Sequence, residues 1–390
     1  MSRYPQLAIE EFCETGSGGT PERSKRQYYG GSIPWVKSGE LREDVILDTE
    51  ERITELGLKE SSAKIVPRGS ILLAMYGATV GRMAFLGIDA ATNQAICNIR
   101  PDPKRADPRY VFHGLQSKLS HFLARAAGGA QPNISQTIVR ETKLALPPLE
   151  EQRQIASILD KADALRRKRR RTIELLESLT QSIFLEMFGH PVVNQRGISV
   201  QPLSNVATFM SGGTPSKNVE EFWAGSIPWV SPKDMKVNDI LDAVDHVSEA
   251  AIARKSLKLI EPMAVLMVVR GMILAHTVPI AITHRAVTIN QDMKAIRFDN
   301  KVDPVFGLWC LKTQSDFILS RVGTAAHGTK RLEMADVEQL NILIPSEAKQ
   351  QKFVVVAQTV GRLISASRMA LRADNSFFSS LQHRAFSGAH

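Results

Sequence analysis

The chain repeats itself, and that constrains its fold more than any other feature. Gly18-Gly19-Thr20-Pro21 recurs as Gly212-Gly213-Thr214-Pro215, and Gly31-Ser32-Ile33-Pro34-Trp35-Val36 recurs as Gly225-Ser226-Ile227-Pro228-Trp229-Val230, all at one offset of 194 residues. Gly77 matches Gly271 at the same offset. Asn93-Gln94 matches Asn290-Gln291 after a short insertion, and Leu146-Pro147 with Gln152 matches Ile344-Pro345 with Gln350. Such a sequence predicts two copies of one unit of about 195 residues, not one large globule.

Each unit has two parts. The first is rich in Gly and Pro with short apolar runs, which predict strands at Ile65-Val66, Ile71 to Met75 and Thr142 to Leu146. Their counterparts are Leu259-Ile260, Val265 to Val269 and Leu340 to Ile344, and helices are expected over Ser117 to Ala126 and Leu311 to Arg321. The second part is a long helix. After Pro147-Pro148, apolar or small residues fall at Ile155, Ile158, Ala162, Leu165, Thr172, Leu176, Leu179 and Ile183, with Arg169 filling one position. Steps alternating three and four residues make a coiled-coil seam, and Gly189-His190-Pro191 stops it. The second copy repeats the seam at Phe353, Val356, Val360, Leu363, Ala370, Phe377 and Leu381, interrupted by Asp374.

The expected fold is therefore α+β: two repeated α/β domains separated by two long helices that form an antiparallel coiled coil. The boundaries fall at residues 1–147 and 191–345 for the domains and 148–190 and 346–390 for the helical regions. A helix of about 36 residues spans roughly 54 Å, enough to hold two modules on sites one turn of B-DNA apart, ~34–36 Å.

Composition narrows the partners. A formal net charge of +9 favours polyanions such as nucleic acid. Apolar stretches such as Ala264 to Val269 are far short of the ~20 residues of a membrane span, and Met1 to Gln6 carries no apolar signal core. Cys13, Cys97 and Cys310 have no paired spacing, so a reduced, cytoplasmic protein is expected.

These residues resemble the specificity (S) subunits of type I restriction–modification systems, across essentially the whole chain. The resemblance rests on the paired Gly-Gly-Thr-Pro and Gly-Ser-Ile-Pro-Trp-Val blocks, on Leu146-Pro147-Pro148-Leu149-Glu150-Glu151-Gln152, and on Phe188-Gly189 and Phe386-Ser387-Gly388 at the helix ends. It implies two target-recognition domains joined by two conserved helical regions. It also implies binding to double-stranded DNA and assembly with two adenine-methylating modification subunits, which a restriction subunit with an ATP-driven motor joins. By the same resemblance this chain binds no cofactor, with S-adenosylmethionine, ATP and Mg held by the partner subunits. The second junction departs from the pattern: Ile344-Pro345-Ser346-Glu347-Ala348-Lys349-Gln350 has no double proline or Glu-Gln pair.

The two copies differ where a reading loop is plausible. Tyr76-Gly77-Ala78-Thr79-Val80-Gly81-Arg82 stands opposite Arg270-Gly271-Met272-Ile273-Leu274-Ala275-His276, so two different half-sites and an asymmetric target are expected. Tyr76, Thr79, Arg82, Arg270 and His276 carry groups able to meet base edges, and the alternative is an ordinary exposed hairpin. Lys37 and Lys233, just beyond the Trp-Val pairs, are candidates for phosphate. Asn93, Gln94, Asn290 and Gln291 either contact adenine or fix a turn. Gln131, Asn133, His327, Lys330 and Arg331 lie in late loops that either face DNA or solvent. Trp35 and Trp229, identical in two modules that read different bases, are expected in the core.

The run Arg166 to Arg171 covers every face of a helix; a mostly solvated face is its ordinary reading, with spacer phosphates or an acidic partner patch as the alternative. No Gly-Lys-Ser/Thr follows Gly18-Gly19, which speaks against a P-loop. The Asn/Asp-Pro-Pro-Tyr/Phe signature of DNA amino-methyltransferases is absent, and no nucleophile–base set or helical metal pair can be nominated, so no catalysis is expected of this chain. Pro101-Asp102-Pro103-Lys104 reads as a polar turn. Two rivals remain: a chain that itself cuts or methylates DNA, and a repeated protein-interaction scaffold without DNA sequence specificity.

Overall fold

The computed structural model describes residues 4–387 except 43, 127–132, 255–256 and 326–327. The chain divides into two compact units, Met1–Arg170 with Met369–His390, and Arg171–Arg368.

In the first unit a five-stranded sheet runs in the order Cys13–Ser17, Ile96–Pro101, Ile71–Ala74, Met83–Leu86 and Val45–Ile46, the last strand parallel to its neighbour. Ile71–Ala74 is buried along its whole length, as a continuous apolar run in a covered central strand should be. A second sheet holds Glu51–Ile53, Tyr29–Val36, Ala90–Thr92 and Ile65–Val66, and Gln6–Ala8 pairs with Lys143–Ala145. The second unit repeats the five-stranded order with Ala207–Ser211, Met293–Phe298, Val265–Val268, Ile280–Thr283 and Asp239–Ile240. Its second sheet keeps three strands; the expected strand Leu259-Ile260 is reduced to a bridge between Ile260 and Val287.

Each unit carries a helix that the sequence reading did not separate, Pro108–Ser117 and Pro304–Lys312. Asp107 and Asp303 cap them, each accepting from two backbone N–H groups, and proline opens the first turn. Val305 to Leu311 are all buried, so that helix has no polar face to reveal a helical period. The helix expected over Ser117 to Ala126 is Leu119–Ala126, and Leu311 to Arg321 straddles a break before Ser315–Ser320.

The two long helices are Leu149–Phe188 and Glu347–Ser387, and they pack antiparallel. In the first unit Ala156 and Leu159 of the first helix cluster with Phe378 and Phe386 of the second. In the second unit Phe184 and Phe188 meet Phe353, at ring separations of 5.2 and 5.9 Å.

The buried row differs from the expected one. Ile158, Leu165 and Leu179 are 54%, 47% and 43% exposed, and Leu363 and Phe377 are 52% and 60% exposed. Ile155, Ala162, Arg169, Leu176 and Ile183 do turn inward. Their partners are four residues on rather than three: Leu159, Arg166, Ile173 and Thr180, with Gln152 one turn earlier. The second helix uses the equivalent positions Gln350, Phe353, Ala357, Val360, Ile364 and Phe378. Arg166 belongs in this row because its charge is satisfied there. Its Nε donates to Asn375 Oδ1 at 2.8 Å, Asp163 lies 3.2 Å from Nη1, and the guanidinium sits 4.1 Å from the Phe378 ring centre.

Gln152 and Gln350 fasten each globular module to its long helix. Gln152 Oε1 accepts from Asp107 N, and its Nε2 donates to Arg105 O and Pro147 O. Gln350 makes the same three bonds with Asp303, Lys301 and Pro345. Tyr110 meets Phe386 at a tilt and Phe306 meets Phe188 edge to face, both at a ring separation of 5.0 Å.

Candidate nucleic-acid interface

The repeated motifs build the platform. Trp35 and Trp229 are 1% and 7% exposed, and their Nε1 groups donate to Gly19 O and Gly213 O. A Cβ on Gly18 or Gly212 would stand 2.1 Å from the carbonyl oxygen of Thr92 or Asn290, so only glycine lets these backbones meet. The Thr20 hydroxyl bonds Gln94 Oε1, and Thr214 bonds Gln291 Oε1. Asn93 N donates to Val36 O and Asn290 N to Val230 O. The Gln94 and Gln291 side chains therefore hold the threonine of the Gly-Gly-Thr-Pro turn, whereas Asn93 and Asn290 join the Trp strand through backbone N–H groups and Asn93 Oδ1 is buried without a partner among the described residues.

The divergent loops sit on this platform and are brought together with the late loops. In the first module Tyr76 bridges to Asn133, and Ile134 N donates to Met75 O at 2.7 Å. In the second, Arg270 bridges to Arg331, and Gly271 N donates to Lys330 O at 3.0 Å. Sequence spacing gave no sign of these pairings, because their partners lie more than fifty residues apart. Gly77 and Gly271 hold φ of 80° and 127°, a conformation that explains the glycine shared by two otherwise different loops. Gln131 and His327 lie outside the described residues.

Charge separates the candidates. Arg82, Arg270 and His276 are exposed and form no ion pair among the described residues. Arg331 pairs with Glu333 at 3.0 Å, and Lys330 Nζ donates to Thr324 Oγ1. Lys37, by contrast, is held by Glu51 and Glu50, both at 2.9 Å, and Lys233 by Asp245 at 2.6 Å. Those hydrogen bonds raise both lysines above the ordinary ammonium range. Beside Arg82 a cleft of about 730 Å³ opens between Leu41, Arg42, Val80, Met83 and Gln116. Arg42 and Gln116 had no motif to reveal them; only the fold brings them beside the loop.

The basic run is divided by the helix. Arg166 and Arg169 face the second helix, the latter donating to Asp374 at 2.7 Å, and Arg167 reaches Asp44 at 2.9 Å. Lys168, Arg170 and Arg171 are exposed, so the mostly solvated reading fits only half of the run. Burial pushes the Cys97 and Cys310 thiols up to about 12, and burial together with Asp102 does the same at Cys13, leaving all three protonated. Among the described residues no cluster of His, Cys, Asp and Glu could hold a metal, and no helix is long and apolar enough to cross a membrane.

Each unit thus carries the same sheet platform with an unlike loop pair, and Arg82 and Arg270 have no ion-pair partner among the described residues. The type I restriction modification DNA specificity domain matches twice, over residues 2–176 and 196–369, and the chain belongs to that family. It is 26% identical to the type I restriction enzyme MjaIX specificity subunit of Methanocaldococcus jannaschii, covering 90% of this chain and 85% of that protein. Over 40% of this chain and 38% of the other it is 32% identical to the EcoR124I/EcoR124II specificity subunit of Escherichia coli. The crystal structure of a type I S subunit from M. genitalium shares the fold, with a TM-score of 0.58 over 99% of this chain and 96% of that one at 16% identity.

Proposed function

We propose that this chain is the non-catalytic DNA-reading subunit of a type I restriction–modification complex and recognises an asymmetric, split site, one half per module. The observation that carries this reading is the pairing of unlike loops on like platforms: Tyr76 to Arg82 with Asn133, and Arg270 to His276 with Lys330 and Arg331. The shared residues hold the loops in place, and the unlike loops meet the duplex, Arg82 and Arg270 at its phosphates and their neighbours at its bases. Two identical half-sites would need two alike loops.

The long helices set the spacer and dock the partners. A 40-residue helix is roughly 60 Å long, so the duplex between the half-sites is spanned rather than read. Leu165 and Leu179 of the exposed row have exposed equivalents in Leu363 and Phe377, and Ile158 has a half-buried one in Val356. An apolar stripe present once per repeat suits two copies of one partner, the modification subunits. S-adenosylmethionine, ATP and Mg belong to those subunits and to a restriction subunit; the methylated adenine is flipped into the modification subunit's pocket.

The test is selection from a randomised duplex library by the complex with modification subunits. Two unlike half-motifs at fixed separation are expected. A continuous palindrome refutes the split site, and binding indifferent to sequence with no salt slope favours the protein-interaction scaffold. Exchanging residues 1–145 for another family member's module should replace one half-motif only, and a turn added to both long helices should lengthen the spacer.

A further inference from the structure

The second reading loop carries an apolar tip that the first lacks. Met272 is 62% exposed and Ile273 40%, side by side on a single helical turn, Met272–Ala275. Leu274 in the same turn is 1% exposed, so the turn is anchored from below while its two large neighbours face outward. Gly271 N donates to Lys330 O, and His276 N and Thr277 N both donate to Ile273 O, which fixes the tip's backbone. The equivalent turn of the first module is Gly77-Ala78-Thr79, with no large apolar side chain.

What surrounds the tip identifies what covers it. Arg270 and His276 flank it, both exposed and without a carboxylate partner among the described residues, and the bridge to Arg331 brings Lys330 and Arg331 alongside. Arg331 already has Glu333 at 3.0 Å, but an apolar protein surface would leave the Arg270 guanidinium unanswered. A duplex answers both the tip and Arg270: its phosphates meet the guanidinium, and in the major groove its apolar group is the thymine 5-methyl. We infer that Met272 and Ile273 read thymine methyl groups in the second half-site, an assignment that rests on the DNA-reading function proposed above.

The experiment uses the full chain assembled with modification subunits and the duplex that this complex selects. Each thymine of the second half-site is replaced singly by deoxyuridine, which removes only the methyl. Wild-type binding should weaken at one or two positions by about fourfold each, the value of burying one methyl group. Met272→Ala and Ile273→Ala should lose that sensitivity while keeping the first half-site preference and the thermal unfolding midpoint. A second half-site without thymine, or deoxyuridine effects unchanged in both variants, overturns the inference. So do variants that read DNA normally but no longer assemble with the modification subunits, which would make the tip a protein contact. If the wild-type complex selects no site, the reading function itself falls; if it selects one and only the methyl dependence is missing, this inference alone does.

Discussion

At one position the two modules solve the same problem with different chemistry. In the first, Asp44 Oδ2 accepts from Arg109 at 3.0 Å and pairs with Arg167 of the long helix at 2.9 Å, tying an edge-strand loop to two helices. In the second, Asn238 stands at the same offset of 194, and Lys312 donates to its Oδ1 at 2.8 Å. The first is an ion cluster reaching the long helix; the second is a buried ammonium on a neutral amide. Around both, the Gln bolts and the Trp–Gly bonds are alike, and an aromatic pair stands at the same place. What holds a module together is kept in both copies, and what surrounds that frame has diverged in charge.

The largest test of this comparison is on the shared part. Gln152→Ala and Gln350→Ala each remove three hydrogen bonds at a buried junction and should each cost about 2–4 kcal/mol in denaturant unfolding. Equal losses support a common bolt. A loss in one copy alone would show that the modules are fastened differently.

Next comes the seam, where the halves differ. Arg166 occupies the position that Ile364 holds in the second helix. Burial lowers its pKa, with Arg170 and Arg167 adding to that and Asp163 and Asp374 opposing. Arg166→Ala should destabilise by about 1–3 kcal/mol, whereas Arg166→Leu should fall within ~1 kcal/mol of the parent, because a well-packed apolar residue replaces a buried pair at little net cost. Asp163 keeps Arg167 at 3.5 Å in either variant. If Leu is as harmful as Ala, the arginine is held for its charge.

This seam also shows where the sequence was legible and where it was not. Duplication and the packing of the two long helices follow from patterns, because backbone close approaches at Gly18 and Gly212 and the bolts at Gln152 and Gln350 demand particular residues. Of the two inward rows, one lies a single position on from where the pattern puts it. Ile158, Leu165 and Leu179 make a more apolar row than Leu159, Arg166, Ile173 and Thr180, yet the latter is buried. Hydropathy cannot register that Arg166 finds Asp163, Asn375 and Phe378. Tyr76 and Asn133, or Arg270 and Arg331, are likewise joined by strand bridges across long separations that leave no local signal.

The charge difference between modules should appear as two rises of stability with pH, one at the acid end of the scale and one at the alkaline end. Burial pushes the Asp44 carboxyl up, but hydrogen bonds from Arg109 and Arg167 outweigh it and hold its pKa below the ordinary 3.8. Its folded state therefore binds fewer protons than the unfolded chain, so its contribution is present above 3.8 and is lost as pH falls through the depressed value. Burial lowers the Lys312 pKa below 10.5 despite Glu177 and Asp239. There the unfolded chain again binds more protons, and stability rises with pH from the depressed value toward 10.5. Asp44→Asn should flatten only the acid limb of the unfolding midpoint, and Lys312→Met only the alkaline rise. A variant that changes the other limb would contradict the assignment.

The smallest effect concerns DNA and separates paired from unpaired cations. A cation that neutralises a phosphate releases a counterion, so its loss reduces the slope of log K against log salt by roughly 1. Arg82→Ala and Arg270→Ala should each do so, since neither has a carboxylate partner among the described residues. Lys37→Ala and Lys233→Ala should leave the slope where it was, because Glu50, Glu51 and Asp245 already take up those charges. The four slopes are comparable only with modification subunits present throughout, whose own phosphate contacts form a constant background. A full unit lost at Lys37 or Lys233 would mean that DNA displaces those carboxylates, and that the shared frame, not only the divergent loops, meets the backbone.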